Sequence, residues 1–164
     1  MRAGVALGSN LGKRLQNLQR ARKEIEALSS GATAASTVYE TEPVNCEADA
    51  PSFYNAVIEI EYTGSAPELL RELRGVEERL GRPGDHPRNV SRTIDLDLLY
   101  LGDQRSDTPE LRLPHPRMRE RRFVLAPLAD IRAGLVLPNE RATVAKLLEH
   151  LPELPRVVRA SEQW

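Results

Sequence analysis

Along the chain, apolar residues first appear in an unbroken run at 3–7 and then change to a helical spacing, with Leu11, Leu15, Leu18, Ile25 and Leu28 on one stripe. The first run reads as a short buried strand ending at Gly8. The second reads as an amphipathic helix that Ser9 or Asn10 can cap and that Gly31 stops. A strand over 33–39 follows, carrying Thr33, Thr37, Val38 and Tyr39, and then a loop over 44–52 containing Asn45, Asp49 and Pro51. Residues 53–62 alternate with period two in their second half and predict another strand. Ser65, Pro67 and Glu68 form a strong helix start, with Ser65 as cap and Glu68 closing a capping box. That helix is expected to run to about Leu80 on a stripe of Leu69, Leu73, Val76 and Leu80.

The next strand spans 94–101. Beyond it, residues 118–131 predict a short helix, 134–137 a short strand or extended piece, Thr143–Leu148 the core of another helix, and 152–164 a surface tail. The order β, α, β, β, α, β is that of the split βαβ, or ferredoxin-like, plan: an α+β fold with an antiparallel sheet covered by helices. At 164 residues the chain suits one domain with a real core.

Charge narrows the function classes. With 23 basic and 24 acidic residues the formal charge is −1, so the broad basic excess of a nucleic-acid or membrane-surface protein is missing. One tryptophan, four tyrosines and two phenylalanines are too few and too scattered for an RNA-stacking sheet. Cys46 stands alone, which excludes an internal disulfide and a multi-cysteine zinc site and fits a reducing cytoplasm. The start of the chain lacks the long apolar core of a signal peptide, and no apolar run approaches the length of a membrane span.

The most informative stretch is Arg92-Thr93-Ile94-Asp95-Leu96-Asp97-Leu98. Strand alternation sends Ile94, Leu96 and Leu98 into a core and turns both carboxylates to the other face, roughly 6.5–7 Å apart along the strand. Like charges so placed repel, and the usual remedy is a hard cation with oxygen ligands, Mg²⁺ above all. Arginines bracket the pair: Arg82, Arg88 and Arg92 upstream in a Pro- and Gly-containing loop, and Arg117, Arg119, Arg121 and Arg122 after Pro114-His115-Pro116. Acidic metal ligands between arginine clusters suit a metal-bound polyphosphate. No Walker A or G-x-G-x-x-G cradle occurs.

These residues resemble the 6-hydroxymethyl-7,8-dihydropterin pyrophosphokinases of folate biosynthesis. The likeness rests on an ordered set: Leu7-Gly8-Ser9-Asn10-Leu11-Gly12, Tyr39-Glu40-Thr41-Glu42-Pro43, Phe53-Tyr54-Asn55-Ala56-Val57, Glu77 with Gly81-Arg82, Arg92-Thr93-Ile94-Asp95-Leu96-Asp97, Pro114-His115-Pro116 and Arg121-Arg122-Phe123. Where the family usually carries Arg-Trp-Gly-Pro-Arg, this chain has Arg88-Asn89-Val90-Ser91-Arg92, and Gly84 stands where a second loop arginine is common.

The resemblance implies transfer of pyrophosphate from ATP to the pterin hydroxymethyl oxygen, leaving AMP. It implies that Asp95 and Asp97 hold two Mg²⁺ ions. Arg82 and Arg92 would serve the transferred phosphates, with Arg82 on a closing loop, while Glu77, Arg88, His115 and Arg121 would line the ATP side. Phe53 and Phe123 would stack on the pterin, and Asn55, Thr41 and Pro43 would meet its polar edge. The substrates are then small molecules, with no nucleic-acid or membrane partner and a monomer as the expected state. A noncatalytic module of the same fold that binds metal or nucleotide is the competing class; it predicts no turnover and needs no pterin pocket.

Overall fold

The computed structural model describes residues 1–42, 51–81, 92–161 and 163–164. Its centre is a sheet in the order β5-β1-β4-β3-β8, formed by β1 (Arg2–Ser9), β3 (Val38–Thr41), β4 (Phe53–Glu61), β5 (Asp95–Leu101) and β8 (Val157–Ser161), with β2 (Thr33–Ala35) also on β4. Every pairing is antiparallel. The expected ferredoxin-like core is therefore present, with one added edge strand.

Because side chains alternate, the sheet has two lined faces. Leu7, Ala56, Ile58, Ile60, Leu96 and Leu98 form one, covered by α1 (Arg14–Ala27) and α2 (Ala66–Arg79) through Leu18, Ile25, Leu69, Leu73 and Val76. Val57, Leu99 and Tyr100 lie on the other, under Val124, Leu125 and Leu128 of α3 (Arg122–Arg132) and Val144 of α4 (Val144–Glu149). The second layer covers only part of its face, and the uncovered part is where the carboxylates emerge.

A register shift in the β1–β5 ladder explains a break in the sequence pattern. Val5 faces Leu98 and Gly4 faces Tyr100, so Leu99 is the extra residue and both Leu99 and Tyr100 turn to the α3 side. The apolar run Leu98-Leu99-Tyr100-Leu101 was the trace of this bulge. Its carbonyl at Leu99 accepts the N–H of His115 at 2.8 Å, which fastens the Pro-His-Pro turn beside β5.

Several expectations need correction. Leu11 is 38% exposed and precedes α1, and neither Ser9 nor Asn10 caps the helix; Lys13 occupies that position without a side-chain bond. Their side chains are consumed elsewhere, on the backbone of Thr93 and Arg92. Gly12, at φ 65°, makes the turn from β1 toward α1 that other residues rarely adopt. The single strand over 33–39 is split at Ser36, whose hydroxyl accepts the Val57 N–H at 2.9 Å in place of a ladder carbonyl. Met118–Glu120 is a separate 3-10 turn before α3, a short hairpin joins β6 (Ser106–Asp107) to β7 (Arg112–Leu113), and 134–137 yields only a bridge from Val136 to Thr143. By contrast, Ser65 forms the full capping box with Glu68, and Thr143 caps α4.

The expected surface tail is the largest departure. Val157–Ser161 pairs with β3, Arg159 and Tyr39 meet Asp130 of α3, and the Trp164 indole donates to the Ser36 carbonyl at 2.7 Å while its ring packs against the core. The segment lacks a sustained apolar period, so its structure comes from β3 offering a free edge. Trp164→Ala is expected to cost about 2 kcal/mol through lost apolar burial and one hydrogen bond, measured as a lowered denaturation midpoint; an unchanged midpoint would return these residues to a surface tail.

Candidate functional site

Cross-strand register assembles the site. Asp95 of β5 faces Gly8 of β1, and Gly8 faces Asn55 of β4, so a carboxylate, a bare backbone and an amide share one row on the α3 side. Two residues along, Asp97 faces Ala6. Small residues between the polar ones leave a trough: a Cβ on Gly8 would come within 3.2 Å of Asn55 Oδ1 and 3.9 Å of both Asp95 Cβ and a Phe53 ring carbon. Any larger residue here would press on the Asn55 amide, which would have to give by a few tenths of an ångström.

The trough opens into a cavity of about 320 Å³ lined by Thr41, Phe53, Asn55, Arg92, Asp95, Asp97, Arg121 and Phe123, with Gly8 in its floor. Eight of the expected site residues thus converge. Asn55 and Thr41 are both buried and joined by a 3.0 Å bond from Nδ2 to Oγ1, which orients the amide. The two phenylalanines come from β4 and α3, and the Arg121 guanidinium lies 5.5 Å from the Phe123 ring centre. Arg121 also reaches Asp97 Oδ2 at 3.4 Å, and Arg92 reaches Asp95 Oδ2 at 3.0 Å. Each carboxylate therefore has its own arginine.

Other expected residues are placed differently. Glu77 stands on α2 at the outer edge of β5, where its carboxylate accepts the Leu96 N–H at 2.7 Å between the two aspartates; it does not line the cavity. His115 lines a neighbouring hollow of about 460 Å³ together with Arg105, Arg112 and Arg119. Pro43, Arg82 and Arg88 lie outside the described residues. Among the downstream arginines, Arg119 pairs with Glu140 at 3.1 Å, and Arg122 donates to the carbonyls of Leu148, Leu151 and Pro152 while one side of it lines the cavity. Pro155, in the segment expected as a tail, also lines the cavity, a position that no local pattern announces.

The electrostatics are those of a crowded charged site. The walls of the cavity push the Asp97 carboxyl above the usual carboxylate range, with the charge on Asp95 adding to this and His115, Arg121 and Arg92 opposing it. Asp97 keeps 36% of its side-chain surface accessible, so this loss of solvation is partial. Burial pushes the His115 imidazole down, against the pull of Asp97. Its Nδ1 accepts the Arg117 N–H at 3.3 Å, which leaves the Nε2–H of the neutral ring as a donor. Burial also lowers Arg121, though a guanidinium stays charged.

A carboxyl raised in the folded state stabilises the fold when protonated, and that contribution is lost as pH rises through its folded pKa. Asp97→Asn is therefore expected to melt at a higher temperature than the wild type at neutral pH in chelator, with the gap closing as pH falls through the carboxylate range. Thermal melts across pH check this; a lower melting temperature for Asp97→Asn at neutral pH refutes the destabilisation by the ionised, partly desolvated carboxylate.

Asp95 and Asp97 offer carboxylate oxygens on one face of β5 to a hard cation. Among the described residues no group of three or more His, Cys, Asp or Glu forms a closed metal cage. Nor is any described helix long and apolar enough to cross a membrane.

Comparisons with known proteins identify the family. The family described as 7,8-dihydro-6-hydroxymethylpterin-pyrophosphokinase (HPPK) matches residues 4–133. A 2-amino-4-hydroxy-6-hydroxymethyldihydropteridine pyrophosphokinase of Pseudomonas aeruginosa is 40% identical over 154 residues, covering 93% of this chain and 89% of that protein. A protein of the same name from Bacillus subtilis is 42% identical over 130 residues, covering 79% and 77%. The folate synthesis bifunctional protein of Arabidopsis thaliana is 37% identical over 137 residues, but this chain spans only 28% of its length. Among solved structures, Plasmodium falciparum HPPK-DHPS with pterin and p-hydroxybenzoate superposes with a TM-score of 0.69 over 90% of this chain and 42% of that one; at 14% identity this shows the fold alone.

Proposed function

This chain belongs to the 7,8-dihydro-6-hydroxymethylpterin-pyrophosphokinase family, and from that premise we propose that the cavity beside the Asp95–Gly8–Asn55 row is where its reaction takes place. The activity is the transfer of pyrophosphate from ATP to the hydroxymethyl group of 6-hydroxymethyl-7,8-dihydropterin, giving the pterin diphosphate and AMP, in folate biosynthesis. The observation that carries the placement is the row itself, which sets a carboxylate and an oriented amide on one face with nothing larger than glycine between them.

Each wall has a task. A reduced pterin is flat and polar at one edge, so Phe53 and Phe123 bound its faces while Asn55 and Thr41 hydrogen-bond that edge. The attacking hydroxyl then points toward the charged end. There one P–O bond forms at the β-phosphorus as the bond to the α-phosphate oxygen breaks, and charge grows on nonbridging and leaving oxygens. Arg92 and Arg121 are the cations paired with the two aspartates there, and the low-dielectric walls strengthen their field. His115, neutral and with Nε2–H free to donate, suits a phosphate oxygen beyond Asp97. Glu77 supports the reading indirectly, since its bond to the Leu96 N–H holds the β5 backbone between the aspartates. Arg82, Arg88 and Pro43 keep the phosphate and pterin roles that the family resemblance implies.

The donor set fits Mg²⁺. Two carboxylates on one face, with no closed cage among the described residues, suit a cation that takes its remaining ligands from water and phosphate oxygens. Asp95 and Asp97 would hold two such ions, which when bound neutralise the triphosphate and polarise the hydroxyl. A monomer in the cytoplasm, acting on small molecules as one domain over 1–164, belongs to the same proposal.

The test is AMP formation from ATP and Mg²⁺ with and without 6-hydroxymethyl-7,8-dihydropterin, with the pyrophosphorylated pterin followed by mass. Pterin-dependent AMP and a matching product mass are expected; bound ATP without turnover would make the chain a noncatalytic module of this fold.

A further inference from the structure

We infer that Asn10 is a positioning residue that sets Arg92 in the site and ties together the roots of the two strands that supply the metal and pterin ends. The inference rests on the placement of the reaction just proposed. Asn10 is 1% exposed, lies just past the end of β1 and does not line the cavity. Its side-chain Oδ1 accepts the N–H of Arg92 at 2.7 Å. In return, its own N–H and that of Leu11 donate to the Arg92 carbonyl, each at 3.2 Å. Both backbone polar groups of residue 92 are therefore held by residues 10 and 11.

Neighbouring side chains brace the clamp. Ser9 donates its hydroxyl to the Thr93 carbonyl at 2.6 Å, and Asn17 of α1 donates to that hydroxyl at 3.1 Å and to the Leu11 carbonyl at 2.9 Å. On its far side, Asn10 Nδ2 donates a long bond of 3.5 Å to the carbonyl of Pro51. Pro51 leads into β4, which carries Phe53 and Asn55, while Arg92 leads into β5, which carries Asp95 and Asp97. One buried planar amide thus accepts from one root and donates to the other. Aspartate lacks the donor and alanine lacks both, so asparagine is the residue that meets the two demands.

The consequence for chemistry runs through Arg92. A long side chain magnifies any rotation of its backbone, and the guanidinium of Arg92 must reach both Asp95 and the cavity. With residue 92 pinned at N–H and C=O, its fork is set before substrate arrives, and a displacement of about 1 Å at such a group can cost about 100-fold in rate.

A double-mutant cycle reads this directly. Asn10→Ala and Arg92→Ala are made singly and together, and kcat and KM for the pterin and ATP are measured by AMP formation. Asn10→Ala is expected to lower kcat/KM by about 10- to 100-fold, mainly in kcat, in the wild-type background. In the Arg92→Ala background the same change should cost less than about threefold, because the group it positions is gone. Asn10→Asp, which keeps the acceptor toward the Arg92 N–H, should lose less than Asn10→Ala, and it carries the cycle if the alanine variant does not fold. Losses that multiply across the two backgrounds, or an Asn10→Ala enzyme with wild-type kcat, overturn the inference. Either result leaves the placement of the reaction standing so long as Arg92→Ala is impaired; an unimpaired Arg92→Ala removes that placement instead.

Discussion

Asp97→Ala is expected to lose at least about 1,000-fold in kcat/KM, since several kcal/mol of charge stabilisation ride on the carboxylate and each 1.36 kcal/mol is a factor of ten. Two effects add. One of the two β5 aspartates disappears, and Arg121, 3.4 Å from Asp97 Oδ2, loses its partner together with the counter-charge that His115 feels. The fold should survive, because the side chain removed is one the cavity walls and Asp95 already disfavour when ionised. Asp95→Ala should behave alike in rate and free Arg92 from its 3.0 Å partner. Steady-state AMP formation over a Mg²⁺ titration measures the loss. If both variants turn over at near wild-type rates at saturating Mg²⁺, neither aspartate holds metal.

The second large effect is expected at Arg121. This side chain touches both halves of the site: it reaches Asp97 on the charged side and lies 5.5 Å from the ring centre of Phe123 on the pterin side. Arg121→Ala should cost about 100- to 1,000-fold in kcat/KM, the scale seen when one preorganised donor to a developing charge is removed. Arg121→Lys is the sharper variant. An ammonium keeps the charge but neither stacks as a plane on Phe123 nor offers a fork, so it should recover less than about a tenth of the wild-type value. Full activity in the lysine variant would reduce Arg121 to a source of positive potential.

How much of this was legible beforehand differs by element. The helix at Ser65 was readable because its signal is local: a capping side chain, a proline in the first turn and a glutamate three residues on act on their own backbone. The Asp95/Asp97 face was readable for a similar reason, since alternation along a strand is a property of the chain itself. The resemblance to the pyrophosphokinases then attached roles to Thr41, Phe53, Asn55, Arg92, Arg121 and Phe123, and the cavity brings those six together with the two aspartates.

Other features had no local signal. Ser9 and Asn10 look like helix caps, yet their side chains bond residues more than 80 positions away. Residues 157–161 look like a tail, yet β3 makes them a strand. Glu77, expected on the ATP side, has its carboxylate engaged by a strand N–H.

The sequence by itself determined the order of the core strands and helices, the ferredoxin-like class, the family and the face on which the aspartates stand, because each follows from short-range periodicity and from residue types at fixed spacing. Only the tertiary structure decided which carboxylate meets which arginine, that Gly8 keeps the trough open between Asp95 and Asn55, that the bulge at Leu99 carries His115, and that Asn10 holds Arg92. Those outcomes depend on strand register and on hydrogen bonds between segments far apart in the chain. A polar group left unsatisfied by its neighbours takes whatever partner the fold brings within about 3 Å, and nothing in its own neighbourhood names that partner.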